Sequence, residues 1–237
     1  MNERYIRKIN IHWDEVPSSS YVRKIPALSH LQELEFNQNV TYFVGENGSG
    51  KSTLLEAIAI ACGFNPEGGS KNYAFSTYDS YSPLYKALTV VKGTRSIPWG
   101  YFLRAESFYN VATQEMDYAD PAHPSKHYHD KSHGESFLEL VHNNLNSPGL
   151  YILDELEAAL SPQRQLTLLY EIDHLSKLGA QFIIVSHSPI LLGLPNAQIY
   201  SFDEEVHEIT YEETDSYLVT EMFINHRKQL LKELLDE

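Results

Sequence analysis

GENGSGKST, residues 45–53, decides the fold. From Gly45 to Ser52 it fits the pattern GxxxxGK[ST], with a short apolar strand, VTYFV (40–44), before it and a helix from about Ser52 to Cys62 after it. Glycines let the backbone curl so that its N–H groups point at phosphate oxygens, and the helix N-terminus adds its dipole. The loop Glu46, Asn47, Gly48, Ser49, Gly50, Lys51, Ser52 and Thr53 therefore reads as a nucleotide-binding loop. Lys51 is expected to reach the β- and γ-phosphates and the Ser52 hydroxyl to coordinate magnesium. Gly63 is placed to cap the helix at its C-terminus.

Outward from this loop, LYILD (150–154) reads as a second buried strand ending in Asp154 and Glu155. Carboxylates at that end of a strand lie at the edge where ligands collect in such sheets. Asp154 is expected to hold magnesium through water, and Glu155 to orient or deprotonate an attacking water. A third strand, QFIIV, ends at SHSP, and His187 stands where a γ-phosphate sensor would sit. Between these strands Ser161 is the N-cap, Pro162 the first residue and Gly179 the stop of a helix. YIRKINIHW (5–13) alternates, with Ile9, Ile11 and Trp13 on one face, as an amphipathic strand does. Weaker strands at about 197–202 and 206–211 precede a C-terminal helix. Buried strands alternating with helices predict an α/β fold with a sheet that is parallel at its core.

From Phe64 to about residue 134 the pattern turns irregular, rich in Tyr, Ser, Gly and Pro, and reads as a lobe inserted in a single domain spanning 1–237. No heptad repeat occurs in it, which excludes a long coiled-coil arm. The 237 residues, 42% hydrophobic, suffice to bury a core without disulfide or metal staples. Cys62 is the only cysteine, so an internal disulfide is excluded. The N-terminus is charged and no apolar run approaches membrane-spanning length, so a cytoplasmic protein is expected. A net charge of −14 argues against a surface built for nucleic acid, although a local basic patch would still serve. His123, His127, His129 and His133 crowd one stretch, but no Cys or flanking pair completes a metal-site spacing. The guanine-reading motif [NT]KxD is absent, so adenine is preferred. Trp13 and Tyr21 are the candidates to stack on it, each reading more readily as core or surface.

The order of glycine loop, acidic pair and strand-end histidine resembles P-loop ATPases of the ATP-binding-cassette (ABC) type. That family carries a signature, LSGGQ, before the helix leading to the acidic strand. Here KSHGES (131–136) stands at that place; Ser132, Gly134 and Glu135 align, while Lys131 and His133 depart. The resemblance implies that this segment caps the γ-phosphate of the opposite subunit in an ATP-bound homodimer. Ala158 to Ser161 falls where the family's dimer-contacting loop lies, with Ser161 for its usual Asp and Leu156 for its usual Pro. Glu106 lies where the family's lobe meets magnesium or water through a Gln; an ion pair with Arg104 is the alternative. FLRAESF (102–108), SHGES, EAALSPQRQ, FIIVSHSPILL and YEET (211–214) together look like small stand-alone bacterial ATPases of AAA description, related to chromosome-maintenance (SMC) and RecF-like heads.

That resemblance implies an ABC-type fold with an antiparallel N-terminal β part and an inserted helical or irregular lobe. It further implies Mg2+-dependent ATP binding and hydrolysis driving a head-to-tail dimer switch on a protein partner, in a setting such as DNA repair or anti-phage defence. Two alternatives stand beside it: the nucleotide-binding subunit of an ABC transporter, and a module that holds ATP but hardly hydrolyses it.

Overall fold

Val40–Val44, Leu150–Asp154 and Gln181–Val185 are buried at every position, as strands must be when both faces of their sheet are covered. The computed structural model describes residues 4–66, 68–70, 82–104, 139, 142–145 and 148–235. Glu106, the segment Lys131–Ser136 with Ser132, Gly134 and Glu135, and His123, His127 and His129 lie outside the described residues. The strands are β1 (Ile6–Ile11), β2 (Glu33–Glu35), β3 (Val40–Val44), β4 (Gly69–Ser70), β5 (Leu88–Lys92), β6 (Gly100–Arg104), β7 (Leu150–Asp154), β8 (Gln181–Val185), β9 (Gln198–Ser201) and β10 (His207–Ile209). The helices are α1 (Pro26–Ser29), α2 (Lys51–Ala61), α3 (Pro162–Lys177), α4 (Pro189–Leu192) and α5 (Asp215–Leu234).

Among the described residues, seven strands form the main sheet in the order β10-β9-β3-β8-β7-β6-β4. The pairs from β9 to β6 are parallel, and β10 and β4 close the two edges antiparallel. β8 therefore lies between the strand that feeds the glycine loop and the strand that ends in Asp154. Val185 sits level with Phe43 on one side and Asp154 on the other, so three strand ends meet at one edge. Side chains alternate between two cores with the period of two that a strand imposes. Phe43, Ile152, Ile183 and Val185 join α2 and the small sheet in one core. Tyr42, Leu153, Phe182 and Ile184 join α3 and α4 in the other.

The small sheet is antiparallel, in the order β2-β1-β5. β1 ends at Ile11, short of the expected Trp13, because Trp13 turns inward and its indole N–H donates to the Leu31 carbonyl at 2.8 Å. Two buried glutamines tie the sheets together. The Gln181 amide accepts from the Ile6 N–H at 2.9 Å and donates to the Ile6 carbonyl at 2.8 Å, as a neighbouring strand would. Gln198 accepts from the Asn37 N–H at 2.8 Å and donates to the Tyr200 hydroxyl, which itself donates to the Glu35 carbonyl.

β5 and β6 fall in the stretch that reads from sequence as an irregular lobe. β6 is a short strand between Pro98 and the end of its own run, and its leading Gly100 has no side chain to signal alternation. A Cβ there would come within 2.8 Å of the Leu150 carbonyl oxygen, so close pairing with β7 requires glycine. The helix after the acidic strand follows expectation: Ser161 caps it, its side chain accepting from the Arg164 N–H, and Gly179 ends the element with a φ of 100°. Among the described residues, no helix is long and apolar enough to cross a membrane.

Candidate functional site

The loop after β3 curls through three left-handed glycines, Gly45, Gly48 and Gly50. At Gly50 a Cβ would also stand 2.8 Å from Leu28, so both backbone angle and space exclude a side chain where α2 begins. The Lys51 side chain turns back along this curl, and its ammonium donates to the carbonyls of Gly45 at 2.6 Å and Glu46 at 2.8 Å. Burial pushes its pKa below the ordinary lysine value, while Glu155, Asp203, Asp154 and Glu46 pull it back up. The Lys51 ammonium is thus held against the carbonyls of its own loop, with carboxylates around it.

One residue on, the Ser52 hydroxyl donates to Asp154 Oδ1 at 3.0 Å, across a gap of one strand. The other Asp154 oxygen lies 3.3 Å from Arg104 Nε, and Arg104 also donates to Glu56 at 2.8 Å. Within the described residues Arg104 thus bridges α2 and β7, and the alternative ion pair of Glu106 with Arg104 lies outside the described residues. A hydroxyl and a carboxylate side by side form the all-oxygen donor set that a small hard divalent cation takes, so Ser52 and Asp154 could hold magnesium.

Glu155 turns the chain out of β7 with a φ of 51°, unusual for a residue with a side chain. Its N–H donates to the Val185 carbonyl at 3.0 Å, which fixes it against the neighbouring strand. Glu155 Oε1 stands 3.7 Å from His187 Nε2, close enough for charge to be felt and too far for a direct hydrogen bond. That His187 nitrogen has no hydrogen-bond partner among the described residues.

Glu157 holds His187 in place. One of its oxygens accepts from the Ser186 hydroxyl at 2.9 Å and, at short range, from the His187 backbone N–H. The Ser186 oxygen accepts from the Ser188 N–H, and the Ser188 hydroxyl donates to Gln165 at 2.6 Å. The turn after the acidic pair, the start of α3 and the histidine loop are thus one hydrogen-bonded unit. Asp203, after β9, accepts from the Glu46 N–H at 2.9 Å and braces the loop from the other side. Neither Glu157 nor Asp203 was among the residues read from the sequence. Asp203 had a signal of the right kind, a carboxylate just past a buried strand, whereas Glu157 is one acid in the acidic turn 155–157.

A cavity of about 610 Å³ runs beside this edge, lined by Glu46, Asn47, Glu155, His187, Asp203 and Asp215 among others. The expected nucleotide loop, Asp154, Glu155 and His187 are therefore brought together. Leu156, in place of a proline, is buried in the second core, and Ser161 is an exposed helix cap. Trp13 packs against the core under Arg23, while Tyr21 is 54% exposed.

The chain is similar to several known domains. Residues 20–92 match a family model described as an AAA domain, and residues 137–193 match one described as "AAA domain, putative AbiEii toxin, Type IV TA system". No curated protein matches it. Among solved structures it is similar to cbiO1 from Clostridium perfringens, part of the ABC transporter complex cbiONQ, at 15% identity over 99% of this chain and 100% of that one, with a TM-score of 0.54. It is also similar to the SMC head domain from Thermotoga maritima, at 14% identity over 87% and 98% of the two chains, TM-score 0.46. A third likeness is to an inward-facing structure titled a "putative metal-chelate type ABC transporter", at 18% identity over 80% of each chain, TM-score 0.46. The likeness to cbiO1 shows the fold, that of P-loop ATPases of the ABC type.

Proposed function

We propose that the chain binds ATP with Mg2+ and hydrolyses it, and that ATP binding closes two copies head to tail to act on a partner protein. The observation that carries this reading is the 3.0 Å contact between Ser52 and Asp154 at the foot of a glycine loop, with Glu155 and His187 facing the same cavity.

In this reading the loop amides and Lys51 bind the β- and γ-phosphates, and Ser52 and Asp154 hold the cation. Bound there, Mg2+ neutralises charge on the phosphate oxygens. Glu155 orients the attacking water and accepts its proton. His187, set by Glu157, donates toward the γ-phosphate, using the nitrogen that has no protein partner among the described residues. The backbone strain at Glu155 directs its carboxylate out of the sheet edge toward the place where the water must stand. The whole chain, 1–237, works as one ATPase domain. Ser132, Gly134 and Glu135 of one copy complete the site of the other, with Ser161 at the same junction. Glu106 remains a candidate for the cation or its water. DNA repair or anti-phage defence is the proposed setting.

The test is Glu155→Gln. The variant should bind ATP as the unaltered chain does, lose turnover by at least about a hundredfold, and accumulate as an ATP-bound dimer in light scattering. Unaltered protein with no Glu155-dependent turnover would instead favour a module that holds ATP without consuming it. A second reading, the nucleotide-binding subunit of a transporter, draws on the likeness to cbiO1 across the whole of both chains. Co-purification with a membrane-spanning partner would select it.

A further inference from the structure

Ser52 and Glu56 stand one helical turn apart on α2 and so share a face. Arg104 and Asp154 stand level with each other at the ends of the paired strands β6 and β7. These four side chains close into a ring. Ser52 donates to Asp154 Oδ1 at 3.0 Å, Arg104 Nε lies 3.3 Å from Asp154 Oδ2, and another nitrogen of Arg104 donates to Glu56 at 2.8 Å. The turn of α2 between Ser52 and Glu56 completes the circuit. Arg104 is its one cation, set between two carboxylates that would otherwise repel each other. A guanidinium can do this because its N–H groups leave a rigid plane in several directions at once.

The ring divides the buried Asp154 carboxylate between two sides. Oδ1 faces Ser52, where the cation of the proposed reaction would be held, and Oδ2 is turned to the guanidinium. Among the described residues, no group of three or more His, Cys, Asp and Glu side chains is placed to hold a metal ion. A cation at Ser52 and Asp154 thus finds few protein ligands there, and phosphate oxygens and water complete its shell. Mg2+ suits such a site, since it is bound through few carboxylates plus phosphates and keeps several waters in a tight octahedron. Ca2+ is larger, takes about six to eight oxygens, and commonly draws both oxygens from one carboxylate.

We infer that Arg104 is a positioning residue that sets which divalent cation the site accepts. By holding Asp154 Oδ2 it leaves one carboxylate oxygen for the cation, which favours Mg2+ over Ca2+. Arg104 acts through Asp154, and Glu56 keeps the guanidinium in place. The inference rests on the reading of this sheet edge as an ATP site.

Binding of a fluorescent ATP analogue to the full chain, read by anisotropy, tests this without turnover. The dissociation constant is measured with excess Mg2+ and again with excess Ca2+, and the ratio of the two is compared among variants. The unaltered chain should bind more tightly with Mg2+. Arg104→Met, which keeps an apolar stem and removes the guanidinium, should shift the ratio toward Ca2+ by at least about tenfold. Glu56→Gln removes a charge but can still accept from Arg104, so its ratio should stay within about twofold of the unaltered one. Arg104→Met combined with Glu56→Gln has the net charge of the unaltered chain and should keep the shift, because geometry rather than charge sets it. The double variant also leaves no Glu56 carboxylate unpaired, so it carries the test if Arg104→Met alone fails to fold, as circular dichroism would show. A folded variant lacking Arg104 with an unmoved ratio overturns the inference. So does a double variant that returns to the unaltered ratio, or an unaltered chain that binds equally with both cations. An unaltered chain that binds the analogue with neither cation ends the ATP reading and this inference together. One that binds with Mg2+ while its cation preference ignores Arg104 ends this inference alone.

Discussion

Glu155 shows what a single residue gives up for position. A left-handed backbone costs a residue with a Cβ about 1–2 kcal/mol, and glycine escapes that cost. Glu155→Gly should therefore be more stable than Glu155→Ala by about 1 kcal/mol, read from denaturant melts of the two variants, while both lack turnover. Equal stabilities would mean that the turn at the end of β7 is not strained. Lys51, Ser52, Asp154 and His187 were legible in the sequence because each belongs to a short motif whose chemistry is local. Glu157, Asp203 and the bridge from Arg104 to Glu56 and Asp154 were not. Their partners come from other segments, and nothing in the order of residues says that Glu157 will accept the N–H of a histidine thirty residues on.

Elements follow the same division. Helix α3 was readable from Ser161, Pro162 and Gly179, whose roles depend on near neighbours alone. β5 and β6 escaped notice because they are short and stand among Gly, Ser and Pro, and because their pairing with β1 and β7 is long-range. The turn just before α5, Tyr211–Glu213, yields a prediction of its own. Glu213 accepts from the backbone N–H and hydroxyl of Thr210, and these bonds hold its carboxyl below the usual glutamate value, the backbone bond first. A lowered folded value means that the stabilisation is fully present above the unfolded pKa and is lost as pH falls through the folded one. Glu213→Ala should thus melt lower than the unaltered chain at neutral pH, and the two melting curves should converge in acid. A gap that persists in acid would assign the loss to something other than this carboxylate. Gln181 makes a larger claim. Replacing it with leucine leaves the Ile6 N–H and carbonyl buried without partners, at about 1–3 kcal/mol for each, so thermal unfolding should shift down by several degrees. An unshifted melt would show that the two sheets hold without it.

At the scale of the molecule, the sheet order β3-β8-β7 was not readable from the chain, although the parallel character of its core was. Strand order is set by which faces can be covered once α2 and α3 lie on opposite sides, and periodicity carries no record of that. Its result is a sheet edge to which β3, β8 and β7 all contribute, the binding edge in the function proposed above. A ligand seated there should stabilise the fold by mass action, about 2.7 kcal/mol at a hundred times its dissociation constant. For a domain of this size that corresponds to a rise of about 5–10 °C in Tm. ATP with Mg2+ should produce it in differential scanning fluorimetry, and Lys51→Ala should abolish it. A shift that survives Lys51→Ala would place the nucleotide elsewhere.

The Gln181 amide has a consequence of another kind. Ile6 is sealed by a side chain from the main sheet, so the lifetime of its amide proton in deuterated solvent measures how often the seam between the sheets parts. Protons inside β3 or β8 record the fraying of the sheet itself. One residue therefore serves as a clock for the joint, and setting it beside its neighbours would show whether the two sheets of this protein breathe together or apart.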